Sequence, residues 1–330
     1  AGRPRPRSTA GRVRAPAPDY WRGQTFTRFD GTTWFVEEQQ GSLTEGPDHW
    51  IGMADGDVTT IESGEPLVQT FYLEADLPNI VFAAARPYRL LLDAGVWQRP
   101  DGALRADVVL PAGSAYTVLS TRPNTTADAL RAQGDISVLG APVEYLQLPD
   151  STSQRTIDLA AKLAAELPEG KQSTYDVILA IQAWLAAEVK YELDAPVPPP
   201  GADAVDHFLF ESKRGFCEQI ASTLAVMLRS LGVPARIATG YVPSERDEIA
   251  GVWVSRARDA HAWVEVRFPS FGWVAFDPTA SVPLAGESGD LTLAGELVRA
   301  IVDAVTAYAG PLVLAVAAIA TARLGWRAAG

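Results

Sequence analysis

The chain has 330 residues, 47% of them apolar and 21% charged, a balance typical of globular domains and not of a disordered chain. Its 28 basic and 40 acidic residues give a net charge of −12, which argues against a general nucleic-acid binder. A single cysteine excludes an intrachain disulfide and any multi-thiolate zinc or iron–sulfur site, and three widely spaced histidines give no ligand cluster, so neither metal nor cofactor is expected.

The length suits about two domains, and the initial Ala suggests a fragment or a processed chain. Residues 1–18 carry Arg3, Arg5, Arg7, Arg12 and Arg14 among four prolines, with no hydrophobic period. They read as a disordered basic arm, either a solvated linker or a contact for an anionic lipid or polymer. Residues 19–148 hold short apolar runs such as VQTFYLEA, YRLLLDA and AYTVLS, separated by turn formers at Gly95, Asp101-Gly102 and Pro111 to Gly113. This pattern predicts an antiparallel β-rich domain.

From Ser151 the period changes. Residues 151–167 and 173–190 read as helices with Ser151 and Ser173 as N-caps. Pro196, Pro198, Pro199 and Pro200 impose a loop. Apolar positions at 220, 221, 224, 225, 228 and 231 then mark a helix over 217–231, stopped by Gly232 and Pro234. Three strand-like runs follow, ARIATGYV, HAWVEVRF and GWVAFDP. Residues 151–280 are therefore expected to form an α+β domain with a helix packed on an antiparallel sheet. Residues 281–298 read as a linker. Residues 300–322 are expected to form one transmembrane helix, because Ala304 to Ala322 is a run of 19 residues without a charge, followed by Arg323 and Arg327. Those arginines favour a cytoplasmic C-terminus and an extracytoplasmic remainder.

Cys217 stands in Arg214-Gly215-Phe216-Cys217-Glu218-Gln219, where a loop enters a helix. The outward N–H groups and the dipole there favour a thiolate, the nucleophilic form, and predict a thiol pKa below the ~8.5 of free cysteine. His261 begins an alternating strand that puts it on one face with Trp263 and Glu265, and a histidine facing the helix start can shuttle the thiol proton. Asp277, on the next strand, can lie beside His261 and hold its tautomer; Asp259 competes for that role. His207 reads as packing near Phe208 and Phe210. Trp253, Trp263 and Trp273 have two readings, sheet packing or a wall that keeps water from a thioester.

These residues resemble the transglutaminase-like superfamily, a papain-related thiol fold. The resemblance rests on RGFCEQIASTLAVMLRSLGVPARIATGYV (214–242), DAHAWVEV (259–266) and GWVAFDPT (272–279). Tyr20-Trp21-Arg22-Gly23, Phe29-Asp30-Gly31 and Trp34 resemble the stretch after the membrane block in TgpA-type bacterial membrane transglutaminase-like proteins. By that resemblance, Cys217 is the nucleophile, His261 the base and Asp277 the orienter. It implies a membrane-anchored thiol acyltransferase or hydrolase, protease or amidase included. The implied substrates are glutamine or peptide amides of protein or peptide in the cell envelope, and the implied partners include the membrane and no nucleic acid. It also implies an external region plus a last span. The Cys217 backbone N–H is one oxyanion donor, and residues 205–216 offer no evident second. A non-catalytic envelope binding or assembly module is the alternative.

Overall fold

A computed structural model describes residues 9–36, 41–45, 49–50, 64–137, 142–243 and 245–279. In chain order, strands β1 (Thr9–Arg14), β2 (Trp21–Phe26), β3 (Gly64–Leu73), β4 (Pro87–Leu91) and β5 (Ala115–Pro123) precede helices α1 (Gln154–Ala165) and α2 (Thr174–Glu188). Helix α3 (Cys217–Ser230) is followed by β6 (Ala235–Tyr241), β7 (Glu245–Asp247), β8 (Val252–Arg256), β9 (Ala260–Phe268) and β10 (Gly272–Phe276).

The α+β core is the expected one. Four strands pair antiparallel in the order β10–β9–β6–β2, and α3 packs on one face. Ile220, Leu224 and Leu228 of α3 share a core with Val264, Val266 and Phe268 of β9 and with Ile178 and Ile181 of α2. Each such side chain, fully buried, contributes about 1.5–3 kcal/mol over its exposed state. The Ser173 Oγ accepts from the Asp176 N–H at 3.2 Å and caps α2. Helix α1 starts two residues later than the sequence suggests. Ser153 is its cap, accepting from the Thr156 N–H at 3.3 Å, and Ser151 lies against Gly31 instead.

Two boundaries differ from the sequence reading. Thr9–Arg14 are not part of a disordered arm: they form β1, paired with β8 on one side and β3 on the other. Ala10 and Val13 are buried, while Arg12 pairs with Glu74 and Asp247, 62 and 235 residues along the chain. Residues 1–8 lie outside the described residues; at Arg12, what reads as part of a solvated basic run is the polar side of a strand whose acidic partners are remote in sequence. The division into 19–148 and 151–280 is also not the one the fold makes. Strand β2 belongs to the sheet that carries His261. Strands β7 and β8 extend the other sheet, whose order is β7–β8–β1–β3–β5–β4 with His49–Trp50 at its edge. The described residues from Thr9 to Thr279 accordingly form one unit.

The expected linker 281–298 and membrane helix 300–322 lie outside the described residues. Among the described residues, no helix is long and apolar enough to cross a membrane.

Candidate active site

A sequence of local constraints delivers Cys217. His207–Ser212 form a π-helical turn, closed by the Lys213 N–H donating to the Phe208 carbonyl at 2.9 Å. Lys213 then turns the chain with a left-handed φ of 48°. Arg214–Gly215 pair in parallel with Lys190–Tyr191. Gly215 is needed here, because a Cβ would come within 2.7 Å of the Phe208 ring and 3.0 Å of the Gln219 Cβ. Helix α3 begins at once. The Phe216 N–H donates to the Gln219 Oε1 at 3.1 Å, but no N-cap side chain accepts from the first turn. A Ser or Asp at the cap would take one of these N–H groups. With Phe216 there, no cap claims them, and they and the helix dipole are available to an anion at Cys217.

Cys217 is 2% exposed. A side-chain hydrogen bond joins it to His261. The His261 Nε2 lies 2.7 Å from the Asp277 Oδ2, which leaves Nδ1 for the thiol. Asp277 is itself held. Its Oδ1 accepts from the Thr279 N–H at 2.8 Å and from the Thr279 hydroxyl at 2.7 Å. Thr279 thus holds the orienting carboxylate in place. Asp259 is committed elsewhere, its Oδ2 accepting from the Arg256 N–H at 2.8 Å. Burial pushes the His261 pKa down. Hydrogen bonds to Asp277 and Cys217, and their negative charges, outweigh it and raise the value to about 9. His261 is therefore an imidazolium at neutral pH, beside the sulfur it can hold as a thiolate.

The thiol and the imidazole open on a cleft of about 240 Å³. The cleft draws on distant parts of the chain: Gln24 from β2, Ile80 and Phe82 from the β-rich region, and Tyr241 from β6. Gln24 is the residue that sequence reasoning missed. It pairs across β2–β6 with Thr239, which pairs with Ala262, the neighbour of His261. Its half-buried side chain makes no hydrogen bond among the described residues, so its amide is available to a carbonyl oxygen in the cleft. No local signal marks it, since only the sheet pairing brings it there.

None of the three tryptophans lines this cleft. Trp263 is fully buried against Tyr20, with ring centroids 5.0 Å apart. Trp273 packs edge-on against Tyr145 and beneath Arg236. Trp253 packs at the edge of the β-rich core. Sheet packing is the role the structure gives all three. His207 is partly exposed and lines a second cavity beside the cleft. Among the described residues, no group of three or more His, Cys, Asp or Glu side chains is placed to hold a metal ion.

Comparison with known proteins agrees with this architecture. Residues 161–278 match the transglutaminase-like superfamily, and residues 1–127 match the TgpA N-terminal domain. A protein-glutamine gamma-glutamyltransferase of Pseudomonas aeruginosa is 30% identical over 283 residues, which are 84% of this chain and 38% of that protein. An uncharacterised Bacillus subtilis protein, YebA, is 38% identical over 141 residues, 41% of this chain and 19% of its own. The chain thus spans well under half the length of these curated relatives. The crystal structure of the periplasmic domain of TgpA from Pseudomonas aeruginosa superposes with a TM-score of 0.61 and 27% identity, covering 83% of this chain and 88% of that one.

Proposed function

Because the chain is a transglutaminase-like protein of the TgpA type, we propose that it is an acyl-transfer enzyme in which Cys217, His261 and Asp277 act on carboxamides of glutamine or peptide. One observation carries the reading: His261, tied to Asp277 at 2.7 Å, also hydrogen-bonds the thiol at the start of α3. The Cys217 thiolate attacks the amide carbonyl carbon and forms a C–S bond. The developing oxyanion takes the Cys217 N–H, with the Gln24 amide as the nearby side-chain donor. The imidazolium gives its proton to the departing nitrogen as the C–N bond breaks, leaving a thioester and a neutral imidazole. An amine or water then loses a proton to His261 and attacks the thioester, and the C–S bond breaks to restore the thiolate. Similarity to a periplasmic domain supports an extracytoplasmic site, and the uncharged run 304–322 supports an anchor to the membrane.

The test is ammonia release from a glutamine peptide, with and without a fluorescent primary alkylamine. Ammonia with incorporated amine identifies a transferase. Ammonia with glutamate and no incorporation identifies a hydrolase. Peptide cleavage without ammonia identifies a protease, and neither ammonia release nor peptide cleavage under either condition removes the acyl-transfer reading in favour of a binding module.

The raised His261 pKa gives a pH prediction. The protonated ring is needed for the departing nitrogen, and raising its pKa keeps it protonated through neutrality. Turnover is therefore expected to hold from pH 7 upward and to fall as pH rises through about 9. Iodoacetamide should alkylate Cys217 at pH 7, and His261→Ala should slow this on the order of tenfold. Labelling that begins only above pH 8 and is unchanged in His261→Ala would contradict the ion pair.

A further inference from the structure

The motif Phe29-Asp30-Gly31 and Trp34 has no part in the thiol chemistry, yet the fold sets it beside the reacting groups. A cavity of about 430 Å³ lies next to the Cys217 cleft, and the two share Glu218, Thr239 and Ala262. Its volume is in the ordinary range for ligand sites. Phe26, Phe29 and Trp34 line it together with Phe208, Pro196 and Pro198. Trp34 is locked in three ways. Its ring stacks on Phe29 at 4.8 Å, its Nε1–H donates to the Ser222 Oγ at 2.9 Å, and the Arg229 guanidinium lies 4.8 Å from its ring centroid. Asp30 fixes the turn before it by accepting from the Thr32 and Thr33 N–H groups at 2.8 and 2.7 Å. Gly31 supplies the φ of +103° that the turn requires. The motif therefore builds a preformed aromatic wall. The cavity's charged residues, Arg214 and Glu218, are both exposed, and Arg214 is paired with Glu192.

We infer that this cavity is the acyl-donor subsite, taking an extended peptide segment with an apolar side chain next to the reacting carboxamide. The inference rests on the reading of Cys217 as an acyl-transfer nucleophile. Aromatic and proline faces gain from an apolar chain, whereas a carboxylate would lose its water against a lining whose one guanidinium, Arg214, is solvent-exposed and already paired with Glu192. The donor is the occupant because both possible reactions need it held. Water as acceptor needs no site of this size. Binding energy spent on the donor, by contrast, lowers the barrier to thioester formation whichever acceptor follows.

The experiment compares kcat/KM for a blocked glutamine amide, a glutamine peptide with a neighbouring Phe, and the same peptide with Asp in that place. The wild-type chain should prefer the Phe peptide to the Asp peptide by roughly 10–200-fold. Ala204 lines the cavity, and Ala204→Trp should fill it and reduce that preference to about two-fold or less. If circular dichroism shows that this variant does not fold, Ala204→Leu provides the same comparison. Turnover with no preference in the wild type, or a preference that survives filling, overturns the subsite. A wild-type protein inert to all three amides, yet alkylated at Cys217, overturns the acyl-transfer reading and the subsite with it.

Discussion

Asp277→Asn is expected to lower turnover by roughly 10–10³-fold with little change in melting temperature, and Cys217→Ala to abolish turnover. In a Ser-His-Asp enzyme the same amide replacement costs about 10⁴, because the carboxylate fixes the imidazole tautomer and stabilises the imidazolium. A thiol is already partly ionised near neutrality and asks less of its partners. In this chain the carboxylate has two tasks. It orients the ring through the 2.7 Å contact at Nε2, and it helps to hold the His261 pKa at about 9. An amide keeps much of the first and loses the second. The upper limb of the pH profile should therefore move to lower pH in Asp277→Asn. Asp259→Asn is the control. Its carboxylate holds the Arg256 N–H, so its effect on turnover should be the smaller by about tenfold or more. A more damaging Asp259→Asn, with both variants folded, would reassign the third member.

The meeting of Cys217, His261 and Asp277 was legible because the three stand at the ends of short, strongly patterned elements. The apolar stripe over 217–231 and its stop at Gly232 and Pro234 gave α3, and the alternation of HAWVEVRF with the short turn to GWVAFDP gave the β9–β10 pair. A hairpin with that turn has little freedom in where it puts Asp277. What remained hidden depends on long-range pairing. Nothing local distinguishes Gln24 from a surface glutamine, because its place follows from β2 docking beside β6 from more than two hundred residues away. The arginines of β1 looked like a solvated arm for the same reason. Alternation correctly puts Trp263 and Glu265 on one face, but it cannot tell what covers that face. Val264 and Val266 meet α3, while Trp263 lies in a separate cluster with Tyr20. His261 reaches Cys217 from the second position of β9, close to the start of α3.

The covered face leads to the second large effect, on the fold. Glu265→Gln is expected to cost about 3–5 kcal/mol of unfolding free energy, because it leaves two buried guanidiniums without their counter-charge. Glu265 is 2% exposed. It accepts from the Arg236 Nε at 2.8 Å and lies 3.2 Å from the Arg22 Nη1. The cluster holds two positive charges against one negative. The excess is spread over neutral acceptors: the Asp101 carbonyl for Arg236, the Gly102 carbonyl for Arg22, and the Trp273 ring 3.9 Å from the Arg236 guanidinium. These contacts tie β2, β6 and β9 to the turn at Asp101-Gly102. The same three strands carry Gln24, Thr239 and His261, so a loosened cluster should also disturb the cleft. Burial raises the Glu265 pKa, and the Arg22 and Arg236 charges outweigh this and lower it. The sign of the linkage follows: this stabilisation is present above the ordinary value of 4.5 and is lost as pH falls below it. Denaturant unfolding of wild type and Glu265→Gln at pH 7 and pH 4 measures both effects. The wild type should lose stability between the two pH values, and the variant should lose less. A cost below about 1 kcal/mol at pH 7 would mean that the two arginines are adequately solvated without the carboxylate. Arg22→Met in the Glu265→Gln background then separates charge from shape. Removing one uncompensated cation should recover part of the loss, whereas a cluster held by packing alone would lose further.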